Sequence, residues 1–334
     1  MEVEYLMVIR FIVFTNPNMA QKMKTKTIGE FILAIFLAVL MLFSGALPAK
    51  AAEALFEPEN FVLIRGGEFT MGSPESEVGR SSNETQHQVK VSDFNMGKYA
   101  VTVAEFRRFV EASGYQTSAE KKSSVLLWCH NEAKDVKYTK GVNWRHGVSG
   151  SVRPLSEESH PVVYVSRKDA VAYCKWMSSE TGKHFRLPTE AEREYACRAG
   201  SGTPFYTGQN LTMEQANYDG NYPYNNNPKG VYRENTVPVN SFAPNAWGLY
   251  NMHGNVWEHC SDWYDKTYYD DCKAKGIVTN PTGPKGGWLI SPIVHIVRGG
   301  SWYSSTGGCR SASRNPCIFD NPDNCTGFRL VFDP

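Results

Sequence analysis

Apolar and polar positions change period several times along this chain, and each change marks an element. Phe61 to Thr70 alternates around Gly66-Gly67 and Gln88 to Tyr99 alternates again, so both stretches predict strands. Thr102-Val103-Ala104-Glu105 follows, a Thr-x-x-Glu capping box in which the Thr side chain caps a free N–H and the Glu reaches back. The helix it opens should bury Phe106, Phe109 and Val110. Ser166 to Asp169, ahead of Ala170, Tyr173, Cys174 and Met177, and Thr189 to Glu192, ahead of Tyr195, open two more helices by the same chemistry. Elsewhere the chain is rich in Gly, Asn, Pro and aromatic residues, and stretches such as Asn217 to Pro228 keep neither period. Loops this long inside a compact domain are usually functional or held by a ligand. No repeat or low-complexity linker follows residue 56, so residues 56–334 read as one loop-rich α+β domain.

The N-terminal part has a different character. From Met23 it runs through Lys24 and Lys26, an apolar stretch from Ile32 to Phe43, and Ala49-Lys50-Ala51, the order of a secretory signal peptide. A signal beginning at Met1 would exceed the usual length of about 15–30 residues, so residues 1–22 read as an upstream extension and 23–51 as the signal. The apolar stretch falls short of the roughly 20 residues of a comfortable membrane span, so no transmembrane segment is expected after cleavage. The expected location is the cell surface, periplasm or extracellular space. A net charge of +1 offers nothing to attract nucleic acid.

Eight cysteines in 334 residues are too few for a disulfide scaffold, and none forms a C-x-x-C pair of zinc type. Cys174 and Cys197 fall in helical apolar patterns and read as small buried hydrophobes. The histidines (His87, His130, His146, His160, His184, His253, His259 and His295) are dispersed, with no H-x-x-x-H pair, and read as surface or structural groups.

Several motifs then fall in a recognisable order: Gly66-Gly67-Glu68-Phe69-Thr70-Met71-Gly72, Tyr99 to Thr102 with Glu105-Phe106, His160-Pro161-Val162, Arg186-Leu187-Pro188-Thr189-Glu190-Ala191-Glu192, Gly248 to Glu258, and in the tail Arg298-Gly299-Gly300-Ser301-Trp302 with Gly327-Phe328-Arg329. Together they resemble the formylglycine-generating-enzyme (sulfatase-modifying factor) family from about residue 61 to 332. The resemblance implies a variant of the C-type lectin fold. It also implies, in the oxidising members, two cysteines downstream of the G-G-S segment, whose soft thiolates can bind Cu(I) and activate oxygen. Here that segment is followed by Tyr303, Ser304, Ser305 and Thr306, with a lone Cys309 before Arg310. No copper is therefore expected. The ergothioneine-pathway branch needs an iron-binding helical domain, for which this chain has neither the His cluster nor the length of bundle.

The tail looks most like the exported treponemal variable protein of diversity-generating retroelements, which displays a variable surface between fixed anchors. Adenine-directed mutation there cannot yield Lys, Glu, Gln, Met or Trp, and Tyr303 to Thr326 contains none of the five. Tyr brings large contacts at low entropy cost and Ser brings adaptable hydrogen bonds. Tyr303, Ser304, Ser305, Asn315, Cys317, Ile318, Phe319 and Asn321 are thus the expected ligand-binding surface, within a variable segment of about 295–326 held by Trp302, Arg310, Arg314 and Phe328. Resemblance further implies a structural calcium held by the side chains of Asn251 and Glu258 and the backbone carbonyls of Gly254 and Val256, all hard oxygen donors. A second family calcium site keeps Asn217 but has Val231 in place of its acid.

The expectation is an exported, non-enzymatic, receptor- or adhesin-like protein that binds an unknown protein or surface ligand. The alternatives are a formylglycine-generating or related oxidase, and a structural protein of the envelope.

Overall fold

The computed structural model describes residues 56–122, 124–128, 136–285, 294–318 and 321–334. The signal-peptide and extension readings, His130, Cys129 and Phe319 lie outside them. Residues 56–334 form one compact unit. In chain order its elements are β1 (Phe61–Ile64), β2 (Gly67–Met71), β3 (His87–Val91), β4 (Phe94–Gly97), α1 (Val103–Ser113), α2 (Ser118–Lys121), β5 (Val125–Trp128), β6 (Val136–Thr139), α3 (Arg167–Thr181), β7 (Phe185–Arg186) and α4 (Glu190–Arg198). The C-terminal half adds β8 (Trp257–Trp263), α5 (Tyr268–Ala274), β9 (Val278–Thr279), β10 (Val294–Arg298), β11 (Arg314–Ile318), β12 (Thr326–Gly327) and β13 (Val331–Phe332).

All three capping boxes close as expected: Thr102 accepts from Glu105 N–H, Ser166 from Asp169 and Thr189 from Glu192, and each acid returns to its cap N–H. Phe106, Phe109 and Val110 are buried, and α1 and α3 share one aromatic core with Trp144, Phe328 and Phe332. The two long strands expected near the start are each broken, giving β1 and β2, then β3 and β4. Asp93 Oδ1 accepts from the Gly66 N–H at 2.8 Å, tying the two breaks together. A Cβ on Gly66 would run into the Val91 carbonyl. There the chain passes between sheets, β1 and β4 joining the order β1-β4-β13-β7 and β2 and β3 the order β2-β3-β9.

The sheet that positions the site has the order β11-β10-β8-β12. Side chains alternate between its faces. Arg298 lies opposite Arg314 on β11 and opposite Glu258 on β8, whereas Val297 lies opposite Asn315 and His295 opposite Cys317 and Trp263. One face therefore carries ions, and the other carries Trp257, Val297, Asn315 and Cys317.

Candidate functional site

The second face opens into a pocket of about 650 Å³. Its floor is Val297, Asn315 and Cys317, its walls are Trp257, Tyr303, Ser304, Asn321, Asp323, Cys325 and Thr326, and Leu126 and Tyr138 of the β5–β6 hairpin stand at its rim. The structure thus brings together Tyr303, Ser304, Asn315, Cys317 and Asn321 of the expected surface. Ser305 is exposed but does not line the pocket. Ile318 ends β11.

The turn over the pocket is locked from behind. Gly299 and Gly300 have φ of +99° and +79°, and a Cβ on Gly300 would sit 2.5 Å from the Cys309 sulfur. The Ser301 N–H donates to Ser304 Oγ at 3.0 Å, the two hydroxyls lie 3.1 Å apart, and the Tyr303 N–H donates to Ser301 Oγ. Trp302 is 3% exposed, and its indole N–H donates to the Asn324 carbonyl at 2.9 Å. The sequence reading missed Ser301, Trp257, Val297 and Cys325 as lining residues. The G-G-S-W segment was the available signal for Ser301, since a turn that tight must present its next side chain to one side.

Thiol chemistry is unevenly distributed. Cys309 is fully buried beside Phe205, Tyr218 and Tyr224, and burial pushes its thiol well up. Burial likewise raises Cys174, to about 12, and Cys325, although Cys325 lines the pocket and accepts help from Ser301. Cys197 is buried with its sulfur 3.7 Å from His253 Nδ1. That imidazole is committed elsewhere: Nδ1 lies 2.7 Å from the Cys309 carbonyl, and Nε2 accepts the Tyr206 N–H at 3.0 Å. The thiol pair that would hold copper is thus not assembled at the G-G-S turn, where Ser304 offers a hydroxyl and Cys309 lies behind the backbone.

On the opposite face a lattice of buried ions underlies the tail. Arg314 forms a bidentate pair with Glu190 at 2.7 and 2.9 Å, and Arg310 does so with Glu84 at 2.8 and 2.8 Å. Arg298 pairs with Glu194 and also donates to the carbonyls of Ser311, Ala312 and Ser313. Glu258, expected to bind calcium, is instead held by Arg193 Nε at 2.7 Å and by Arg329 at 2.9 and 3.1 Å. Burial alone would raise its carboxyl, but the charges of Arg193 and Arg329 outweigh burial and hold it low. A divalent cation at Glu258 would add two charges beside two buried guanidinium ions. Asn251 fits a cation better: its Nδ2 donates to the Val239 carbonyl while its buried Oδ1 has no hydrogen-bond partner. Glu258, with both oxygens engaged by guanidinium ions, thus does not fit the expected calcium. Among the described residues no cluster of three or more His, Cys, Asp or Glu could hold a metal ion.

Comparison with known proteins places this geometry. The family model for the sulfatase-modifying factor enzyme 1-like domain matches residues 47–334. Formylglycine-generating enzyme from Bos taurus is 34% identical over 83% of this chain and 75% of its own length. Its counterpart from Streptomyces coelicolor is 35% identical over 81% of this chain and 88% of its own. Among solved structures, PvdO from Pseudomonas aeruginosa is 29% identical with a TM-score of 0.61, covering 82% of this chain and 94% of its own. Treponema denticola variable protein 1 is 22% identical with a TM-score of 0.57, covering 82% of this chain and 95% of its own, a likeness that shows the fold alone. The expectation of a non-enzymatic binding protein is overturned by the enzyme relatives, which match most of the chain at a third identity. The missing cysteine pair was given too much weight, because it concerns one turn and the match concerns the whole domain. This chain belongs to the formylglycine-generating-enzyme (sulfatase-modifying factor) family.

Proposed function

We propose that this chain is an enzyme of the formylglycine-generating kind, and that the pocket over the Gly299–Ser304 turn is where a substrate side chain is oxidised to the aldehyde. The observation that supports the reading most is the identity of 31–35% to five formylglycine-generating enzymes over 81–87% of this chain. The pocket is consistent with it: Trp257, Val297 and Leu126 give it an apolar lining, and the hydroxyls of Ser301 and Ser304 and the amide of Asn315 can supply orienting hydrogen bonds. The test is incubation of the full chain with cysteine-containing peptides in air, with and without added copper, followed by hydrazide capture of aldehyde. Aldehyde formation that is lost on filling the pocket with Asn315→Trp is the expected result. Absence of aldehyde under every condition would count against the reading.

Export is also proposed, on the order of charged, apolar and small residues from 23 to 51. Mass spectrometry of protein from the producing cell should find a chain beginning near Ala52. A mature chain that keeps Ile32 to Phe43 would exclude cleavage there.

A further inference from the structure

The ion lattice leaves one carboxylate half used. Arg310 grips Glu84 through two bonds of 2.8 Å but reaches Glu77 through one, from Nη1 to Oε1 at 2.6 Å. The Glu77 side chain is 3% exposed, and no described residue donates a hydrogen bond to its Oε2. Burial raises the Glu77 carboxyl, and the single bond from Arg310 does not offset that; at Glu84 Arg310 outweighs burial and the carboxyl is held low. The free oxygen opens into a second pocket, of about 220 Å³, between the loop after β2 and the loop after α4. Bonds within its walls keep it open: the Glu77 N–H donates to the Pro74 carbonyl at 3.0 Å, and the Tyr224 hydroxyl donates to the Val78 carbonyl at 2.7 Å. Among the described residues that line it, Glu77 alone carries a charge. Ser76, Gln209 and Asn225 add side-chain oxygens that can accept hydrogen bonds, and Pro74 and Pro204 add apolar surface.

We propose that this second pocket binds a primary alkylammonium group, with an N–H donor on Glu77 Oε2 and the aliphatic stem against Pro74 and Pro204. An ammonium has three donors and no acceptor, which suits a set of acceptors grouped around one carboxylate. A divalent metal fits less well, because a hard cation takes about 6–8 oxygen ligands, and no cluster of three or more His, Cys, Asp or Glu occurs among the described residues. A second guanidinium fits less well too: its fork wants both oxygens of a carboxylate, and Arg310 already holds one of them. The same ammonium chemistry is carried by a free amine and by a lysine side chain of a peptide. The site shares no lining residue with the pocket over the Gly299–Ser304 turn, so it stands or falls independently of the reaction proposed there.

The test is titration of the isotopically labelled full chain with n-butylammonium chloride and, separately, with Nα-acetyl-lysine methylamide, read by amide NMR shifts. Saturable shifts centred on Glu77, Gln209 and Asn225 are expected. Binding of butylammonium alone would mark a free-amine site, and binding of the lysine probe would admit a peptide side chain; either supports the pocket. Glu77→Gln should weaken binding by about 10–100-fold, the scale of one charge-assisted hydrogen bond. Because that change also disturbs Arg310, Gln209→Lys supplies a second variant. The position is exposed, so the fold is kept, and the introduced ammonium should occupy the pocket and abolish binding. n-Butanol, the neutral counterpart, should move no signals there. Equal shifts with n-butanol, affinity unchanged in either variant, or no saturable shift with either amine would each overturn the site.

Discussion

The two faces of the β11-β10-β8-β12 sheet solve opposite problems with neighbouring residues. Arg298 and Val297 are adjacent in sequence, as are Arg314 and Asn315, yet one of each pair enters a dry ion lattice and the other faces the pocket. In the lattice every charge has lost its water, so each carboxylate depends on its guanidinium partners for compensation. On the pocket face the polar groups are small and bond to near neighbours, as Ser301 does to Ser304. The lesson is a division between a face where a single atom change is costly for folding and a face where it is cheap. That division lets a pocket be rebuilt without rebuilding its frame.

The most direct way to break the comparison is at Glu258. Glu258→Gln leaves Arg193 and Arg329 buried around a neutral amide, and loss of one partner from a buried pair costs about 3–5 kcal/mol. Urea unfolding should show that loss equally with and without a calcium chelator. A variant that becomes chelator-insensitive while wild type is chelator-sensitive would restore calcium to the loop. Trp302→Ala should fall in the same range, about 3–5 kcal/mol, because it empties a fully packed volume and strips the Asn324 carbonyl of its donor. A shift in melting below that of single pocket substitutions would show that the turn is not held by this ring.

How much of this was legible varies with the range of the interaction involved. The helices at Thr102, Ser166 and Thr189 could be read because a capping box is contained in four residues. The same signature at Thr117 and Glu120 opens α2 and was passed over, since no apolar period follows a helix of four residues. Two-residue strands such as β12 and β13 carry no period and exist only by pairing with β8, β4 and β7. At the site, the turn and anchor residues of the tail were recognisable from their types, and much of the expected surface does line one pocket. The fate of Glu258 was not legible, because Arg193 and Arg329 reach it from 65 and 71 residues away. The rim residues Leu126 and Tyr138 come from a hairpin whose alternation was not read as strand.

A smaller and graded effect should come from Asp262, on the ion face at the start of α4. Its Oδ2 accepts from the Glu190 N–H at 3.1 Å and from Ser261 Oγ at 2.9 Å. Burial, with the Glu190 charge added, raises its carboxyl to about 7 from an ordinary 3.8. A folded-state value above the unfolded one means that the fold binds the proton more tightly. The contribution to stability is then complete below the ordinary value and is lost as pH rises through about 7. Unfolding free energy measured from pH 5 to pH 8 should fall for wild type and flatten in Asp262→Asn. An unchanged slope in the variant would assign the pH dependence to another group.

The smallest expected effect on folding is on the pocket face, and it separates the two faces most cleanly. Ser304 is partly exposed, and its hydroxyl meets only Ser301 among the hydrogen bonds of the turn. Asn315 is exposed on an edge strand. Neither side chain fills a cavity or compensates a buried charge, so Ser304→Ala and Asn315→Ala should each shift stability by no more than about 0.5 kcal/mol, the usual scale for surface positions. Neither shares a hydrogen-bond partner with Glu258, which predicts additivity with Glu258→Gln, because sites without shared partners combine within about 0.3–0.5 kcal/mol. Aldehyde formation, in contrast, should fall in both pocket variants, since the hydroxyl and the amide are among the few polar groups able to orient a substrate against apolar walls. If the pocket variants unfold as readily as Glu258→Gln, the two faces are one cooperative unit, and a pocket substitution can no longer be read as a probe of chemistry alone.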